Sequence, residues 1–149
     1  MIKLHPIKQT RGYCGPASLK IVMDYYGIKK SQNYWAKLTK TSRINGCHEI
    51  NILKAIRKFG FNGKIKQNSS IKELRHFADK KIPLIVDWFS PEEEGHYSVV
   101  SGFEKNKIIL ADPHFGKIKK HLINWFEERW FDILNKKKLI REIIIITKK

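Results

Sequence analysis

A chain of 149 residues can bury a real core without disulfides or a structural metal, and it is read as one domain spanning 1–149. Its formal net charge of +16, from 30 Lys+Arg against 14 Asp+Glu, suits polyanions, acidic peptides or anionic lipid. The bases are scattered, with one short cluster at Lys136–Lys138 and no nucleic-acid-binding motif, so specific nucleic-acid recognition is not expected.

Two cysteines, Cys14 and Cys47, with no zinc-spaced His/Cys cluster, argue for neither metal nor cofactor. They could pair only in an oxidising compartment, and nothing at the N-terminus resembles a secretory signal, so a reduced, cytoplasmic chain is expected. The longest apolar runs, such as Ile143 to Ile146, are far too short to span a bilayer.

The first helix is expected from about Pro16 to Tyr26, with Ala17, Ile21, Val22, Tyr25 and Tyr26 on one face and Gly27 as the stop. A short second helix follows at Ser31 to Leu38. After the Asn45-Gly46 turn comes a third, about His48 to Phe59, burying Ile52, Leu53 and Ile56 and ended by Gly60. Ser70-Ile71-Lys72-Glu73 is a capping box opening a fourth helix, with Leu74 and Phe77 inward.

After Pro83 the pattern becomes β-rich. Strands are expected at Leu84–Phe89, His96–Phe103 and Lys107–Ala111, the last two joined by a tight turn at Glu104-Lys105-Asn106. Gly116–Leu122 is a further strand, Ile123–Trp130 a short helix with Trp125 and Phe126, and Ile140–Thr147 a closing strand. Helices first and strands second predict an α+β fold with an antiparallel sheet.

Within this frame, Gln9-Thr10-Arg11-Gly12-Tyr13-Cys14-Gly15-Pro16 reads as a nucleophile at the mouth of a helix. Pro16 suits the first helical position, which puts Gly15 at the N-cap and Cys14 just before it. A thiol there is biased toward the thiolate by the helix dipole and free N–H groups. Gly15 leaves room for a substrate backbone, and the Gln9 amide could serve an oxyanion together with the Cys14 N–H. The plainer alternative is a buried, inert thiol.

A thiolate nucleophile needs a base, and the base needs an acceptor that fixes its tautomer. His96 opens a strand beside Gly95, which permits close approach by another chain, and Asp112 closes the next strand. A tight hairpin makes these two residues neighbours at one sheet edge. His114 lies on the same side and competes for the base role, whereas His5, His48, His76 and His121 fall on loop or solvated positions. Gly12 and the Trp88–Glu94 loop are placed along the cleft by proximity in the proposed fold.

Gln9…Cys14-Gly15-Pro16-Ala17, Tyr25-Tyr26-Gly27, Gly95-His96-Tyr97-Ser98-Val99-Val100, Ala111-Asp112-Pro113 and Trp125-Phe126, in this order and spacing, resemble the papain-like bacteriocin-processing endopeptidases. That resemblance covers nearly the whole chain. It implies a papain-like fold, a helical half and a sheet half with the cleft between them, and a Cys-His-Asp mechanism. Cys14 would be the nucleophile, His96 the base, Asp112 the orienting carboxylate and Gln9 the oxyanion donor; Gly12, Gly15, Gly95 and Trp88 are read as substrate-binding from their place along the proposed cleft, not from the resemblance. It also implies cleavage of peptide substrates, such as an acidic leader, after Gly-Gly. With no transmembrane segment following, the chain resembles the stand-alone branch, for which association with a membrane exporter is open. An acyltransferase using the same triad and a catalytically idle peptide-binding module are the alternatives.

Overall fold

The computed structural model describes residues 1–149. Three helices come first: α1 (Cys14–Tyr25), α2 (Gln32–Leu38) and α3 (Glu49–Arg57). Strand β1 (Phe61–Lys66) precedes α4 (Ile71–Asp79). Strands β2 (Leu84–Ser90), β3 (Glu94–Glu104), β4 (Lys107–Asp112) and β5 (Lys117–Leu122) follow as a meander. The chain closes with α5 (Ile123–Arg129), β6 (Phe131–Leu134), β7 (Lys137–Ile140) and β8 (Glu142–Lys148).

Local chemistry sets several of these boundaries. Ser31 and Ser70 are N-caps whose hydroxyls accept from the N–H of Tyr34 and Glu73, each satisfying a donor that the first helical turn cannot use. The β3–β4 turn is the two-residue Lys105-Asn106, with Lys105 at φ 55°.

The main sheet is antiparallel with strand order β1-β8-β2-β3-β4-β5. Alternation along each strand separates two cores. Ile85, Val99, Ala111, Ile144 and Ile146 face α1–α3, where they meet Leu19, Val22, Trp35, Ile52 and Ile56. Leu84, Val86, Trp88, Val100 and Leu110 point the other way, against Leu74 of α4 and Phe126 of α5. The expected α+β order and antiparallel sheet are therefore present, with α4 and α5 covering the sheet face remote from the first three helices.

Three strands stand outside the sequence expectation. β1 carries Lys64 and Lys66 around Gly63, which weakens its apolar signal; its glycine lets Leu53 and Ile56 of α3 settle where a Cβ would be, at 2.4 and 2.7 Å. The β6–β7 hairpin forms a small separate sheet, and its second strand begins within the short Lys136–Lys138 cluster.

The N-terminal segment is tied across this scaffold. The Ile2 N–H donates to the Ser101 carbonyl and the Ser101 hydroxyl donates back to the Ile2 carbonyl, both at 2.7 Å. Further along, the Gln9 N–H donates to the Pro113 carbonyl at 2.8 Å, which fixes Gln9 beside the end of β4.

Candidate active site

Cys14 is the first residue of α1, with Tyr13 as N-cap, so the helix begins earlier than the Pro16 pattern predicts and Gly15 is not the cap. The Ala17 N–H already donates to the Tyr13 carbonyl at 2.9 Å. Pro16 sits at the third helical position, where an N–H would have no intrahelical acceptor, so proline costs no bond there.

The thiol environment also departs from the expected thiolate bias. Burial pushes the Cys14 thiol up to about 12, the Tyr97 backbone N–H pulls it down, and the carboxylates of Glu93 and Asp87 raise it again. The helix terminus alone does not ionise this sulfur. Gly15 is needed for a different contact from the one expected, since a Cβ there would stand 2.5 Å from the Cys47 Cβ. That space is filled by Cys47.

His96 and Asp112 meet as expected. His96 Nε2 donates to Asp112 Oδ1 at 2.7 Å, and both residues are about 1% exposed. The Asp112 oxygen also accepts the His114 backbone N–H at 2.9 Å, so it is held from two sides. With its Nε2 proton committed, His96 presents Nδ1 as a lone pair, and this atom is buried without a hydrogen-bond partner.

Their juxtaposition depends on an irregularity. From Glu104↔Lys107 the β3–β4 ladder runs to Gly102↔Ile109, then shifts between Val100 and Gly102 to continue as Val100↔Leu110 and Val99↔Ala111. Extended without the shift, it would set Asp112 opposite Val99, on the face away from His96. The extra residue turns Asp112 onto the His96 face. Ser101, the residue left over, is the one that bonds Ile2.

Gln9 lies nearby with its amide already engaged. Its Nε2 reaches both Glu93 carboxylate oxygens at 3.4 and 3.5 Å, and Glu93 also bonds His114 Nδ1. His114, the competing base, is thus paired through its side chain with Glu93, while its backbone serves Asp112. Glu93, on the turn between β2 and β3, falls within the Trp88–Glu94 stretch placed along the cleft, but sequence reasoning gave it no role of its own. Its only signal was its place in the Glu92-Glu93-Glu94 run just before His96.

A cavity of about 200 Å³ opens beside Cys14, with Cys14, Gly95, His96 and Tyr97 among its walls. Of the four expected substrate-binding residues, Gly95 is the one on this wall. Gly12, at φ 80°, packs its α-carbon against the Arg43 backbone, where a Cβ would approach to 3.0 Å. Trp88 is 1% exposed on the far face of the sheet, packed on Phe126 and Trp125, and its indole N–H donates to Ser98 Oγ at 3.0 Å. It does not line the cavity; its indole lies 6.1 Å from the ring of its cross-strand partner His96 and backs the imidazole from the second core.

The model of the Peptidase_C39 like family matches residues 1–137. The transport/processing ATP-binding protein ComA of Streptococcus pneumoniae is 32% identical over 119 residues, covering 78% of this chain and 16% of that protein. The crystal structure of the peptidase domain of Streptococcus ComA superimposes with a TM-score of 0.78 at 28% identity, covering 100% of both chains. A double glycine motif protease from an AMS/PCAT transporter, solved in complex with the leader peptide, superimposes with a TM-score of 0.76 at 24% identity, over 99% of this chain and 93% of that one. No helix of the chain is long and apolar enough to cross a membrane.

Proposed function

The chain belongs to the Peptidase_C39 like family, and from that premise we propose that it is an active cysteine endopeptidase that cleaves peptide or protein substrates. The observation that carries this reading is the buried His96–Asp112 pair, whose Nδ1 is left without a hydrogen-bond partner, together with the cavity that His96 and Cys14 both line. Residues 1–149 would act as one peptidase domain.

In the proposed reaction His96 Nδ1 takes the Cys14 proton as the sulfur attacks the scissile carbonyl carbon. A thiol raised to about 12 does not ionise alone at neutral pH. Proton transfer to His96 creates an imidazolium beside the thiolate, and Asp112 stabilises that cation through Nε2. The Gln9 amide and the Cys14 N–H donate to the oxyanion. The tetrahedral species collapses, the C–N bond breaks, and His96 returns the proton to the leaving amine. Water activated by His96 then hydrolyses the thioester, releasing the acid and the free thiol.

Labelling with a peptide electrophile tests the nucleophile. A Gly-Gly chloromethyl ketone is expected to alkylate Cys14 well ahead of Cys47, because His96 assists only the former, and mass spectrometry locates the adduct. His96→Ala should abolish the difference. Label spread equally over both cysteines in the unmodified chain would overturn the assignment.

Glu93 has a calculable influence on Gln9. Gln9→Ala is expected to lower kcat by about 10²–10³, the usual loss for one oxyanion donor. Glu93→Gln is expected to raise it by roughly two- to tenfold, since the donor must leave a carboxylate, with bonds worth about 1 kcal/mol net, before it can serve the oxyanion. Steady-state kinetics on a leader peptide read both; a Glu93→Gln enzyme slower than the parent would mean that Glu93 positions Gln9 rather than competing for it.

A further inference from the structure

Cys47, the second thiol of the chain, takes no part in the proposed chemistry, yet it stands beside Cys14. Cys14 opens α1 and Cys47 ends the short loop before α3, and both lie on the wall of the cavity of about 200 Å³. Both are free and half-buried. The elements that carry them are in close contact. A Cβ built on Gly15, the residue bonded to Cys14, would stand 2.5 Å from the Cys47 Cβ and 2.8 Å from its Sγ. A glycine at 15 is therefore what lets Cys47 settle against the first turn of α1. A disulfide joins Cβ atoms about 3.5–4.5 Å apart, and Cys47 approaches the neighbour of Cys14 more closely than that. Burial is the main reason the Cys14 thiol is raised, and Cys47 is among the groups whose negative charge adds to it.

The backbone around Cys47 is held while its side chain is not. The Gly46 N–H donates to the Ser42 carbonyl and the Asn45 N–H to Ser42 Oγ, both at 2.9 Å, which closes the turn on one side, and α3 begins at Glu49 on the other. The Cys47 sulfur makes a long contact of 3.9 Å to the His48 carbonyl, a weak bond that one torsion breaks. The two thiols also differ in reactivity. Burial pushes the Cys47 thiol up, only partly offset by the hydroxyls of Thr41 and Thr39. Cys14 is raised as well, but it has His96 on the same cavity wall to accept its proton. An electrophile that needs a thiolate therefore meets Cys14 first, with Cys47 beside it as a second thiol.

We propose that Cys14 and Cys47 form a reversible modification site, at which a hydroperoxide oxidises Cys14 and Cys47 closes an intramolecular disulfide onto it, holding the cleft inactive until a thiol reductant reopens it. The inference rests on the His96-assisted thiolate of the peptidase reading. With hydrogen peroxide as the oxidant, the Cys14 thiolate attacks one peroxide oxygen. The S–O bond forms, the O–O bond breaks, and the departing hydroxide takes the proton held by His96 and leaves as water. Sulfur has then given two electrons to the peroxide and stands as a sulfenic acid. The Cys47 thiol attacks that sulfur next; the S–S bond forms, the S–O bond breaks, and the Cys47 proton leaves with the hydroxyl as a second water. Two thiols and one peroxide give one disulfide and two waters. Without Cys47 the sulfenic acid would persist and meet further peroxide, passing to the sulfinic acid, which thiols do not reduce.

Mass spectrometry tests this without reference to turnover. The reduced chain, freed of reductant, is treated with excess hydrogen peroxide, stopped with catalase, then denatured and alkylated with iodoacetamide. The parent is expected to lose the mass of two hydrogens as a monomer, to take no alkyl label, and to yield on trypsin digestion the linked peptides Gly12–Lys20 and Ile44–Lys54. Dithiothreitol before alkylation should return both thiols. Cys47→Ser is expected to gain oxygen at Cys14 and to keep it through dithiothreitol, and Cys47→Ala provides a second variant should the serine form fold poorly. Oxygen on Cys14 of the parent with Cys47 still open to alkylation, links between chains only, or a parent that peroxide leaves unchanged overturns the site. So does a parent that loses Cys14 as irreversibly as the variants. A bridge in a chain that hydrolyses no peptide upholds the site, and the peptidase reading alone falls. Hydrolysis by a chain that forms no bridge leaves that reading standing and removes the site.

Discussion

His96→Ala is expected to lower kcat/KM on a peptide substrate by about 10⁴–10⁶, with the protein still folded, because it removes both the acceptor for the Cys14 proton and the donor to the leaving amine. Asp112 gives a graded result. Its Oδ1 accepts from His96 Nε2 and from the His114 backbone N–H together, at 2.7 and 2.9 Å. An asparagine there keeps its carbonyl oxygen at that point, since the alternative would aim an NH₂ group at a backbone donor. The imidazole therefore retains its tautomer in Asp112→Asn and loses only the stabilising charge, for a cost of about 10–10²-fold. Asp112→Ala removes orientation as well and should approach the roughly 10⁴-fold seen when a triad carboxylate fails to hold the tautomer.

The double variant of His96→Ala with Asp112→Ala should cost little more than His96→Ala alone, as expected of residues that act as one unit. Asparagine and alanine at 112 with equal rates would refute the tautomer argument. A His114→Ala enzyme that is dead while His96→Ala is active would show that the wrong histidine has been paired with Cys14. Because His114 contributes to Asp112 through its backbone, its alanine variant should keep most of the activity.

Trp88→Ala carries the largest expected effect on stability. The indole is 1% exposed, packed on Phe126 and Trp125 at centroid distances of 5.5 and 5.9 Å, and bonded to Ser98. Truncating such a side chain leaves a cavity in the second core and costs about 3–5 kcal/mol. At about 2–4 °C per kcal/mol for a chain of this size, Tm should fall by roughly 6–20 °C. Trp88→Phe should recover most of the stability with KM unchanged. A loss below about 1 kcal/mol in urea melts, or a raised KM in Trp88→Phe at full stability, would return Trp88 to the substrate surface.

Much of this protein was legible in one dimension because its signals are local. Ser70 and Glu73 announce a helix start through the bonds they make within four residues. The spacing between His96 and Asp112, with a tight turn between, announces a hairpin that returns the chain to the same end of the sheet. Gln9, Cys14, His96 and Asp112 are chemically unusual enough in that order to be selected without coordinates. Other parts carried no local signal. β1 and the β6–β7 hairpin are lysine-rich, and their pairing is decided by partners far along the chain.

Which way a residue faces was left to the tertiary structure. A strand alternates with period two, so a one-residue change of register sends every later side chain to the opposite face. The order of residues places Asp112 at the right end of β4, but the shift between Val100 and Gly102, anchored by Ile2 on Ser101, turns it toward His96. Alternation on β2 likewise sends Trp88 into the second core and its neighbour Asp87 to the opposite face, among acids contributed by α3, β6 and β8. Composition determined a basic protein, and motif order singled out a candidate nucleophile and its candidate base. Strand register, a property of paired chains rather than of any one segment, decided what surrounds them.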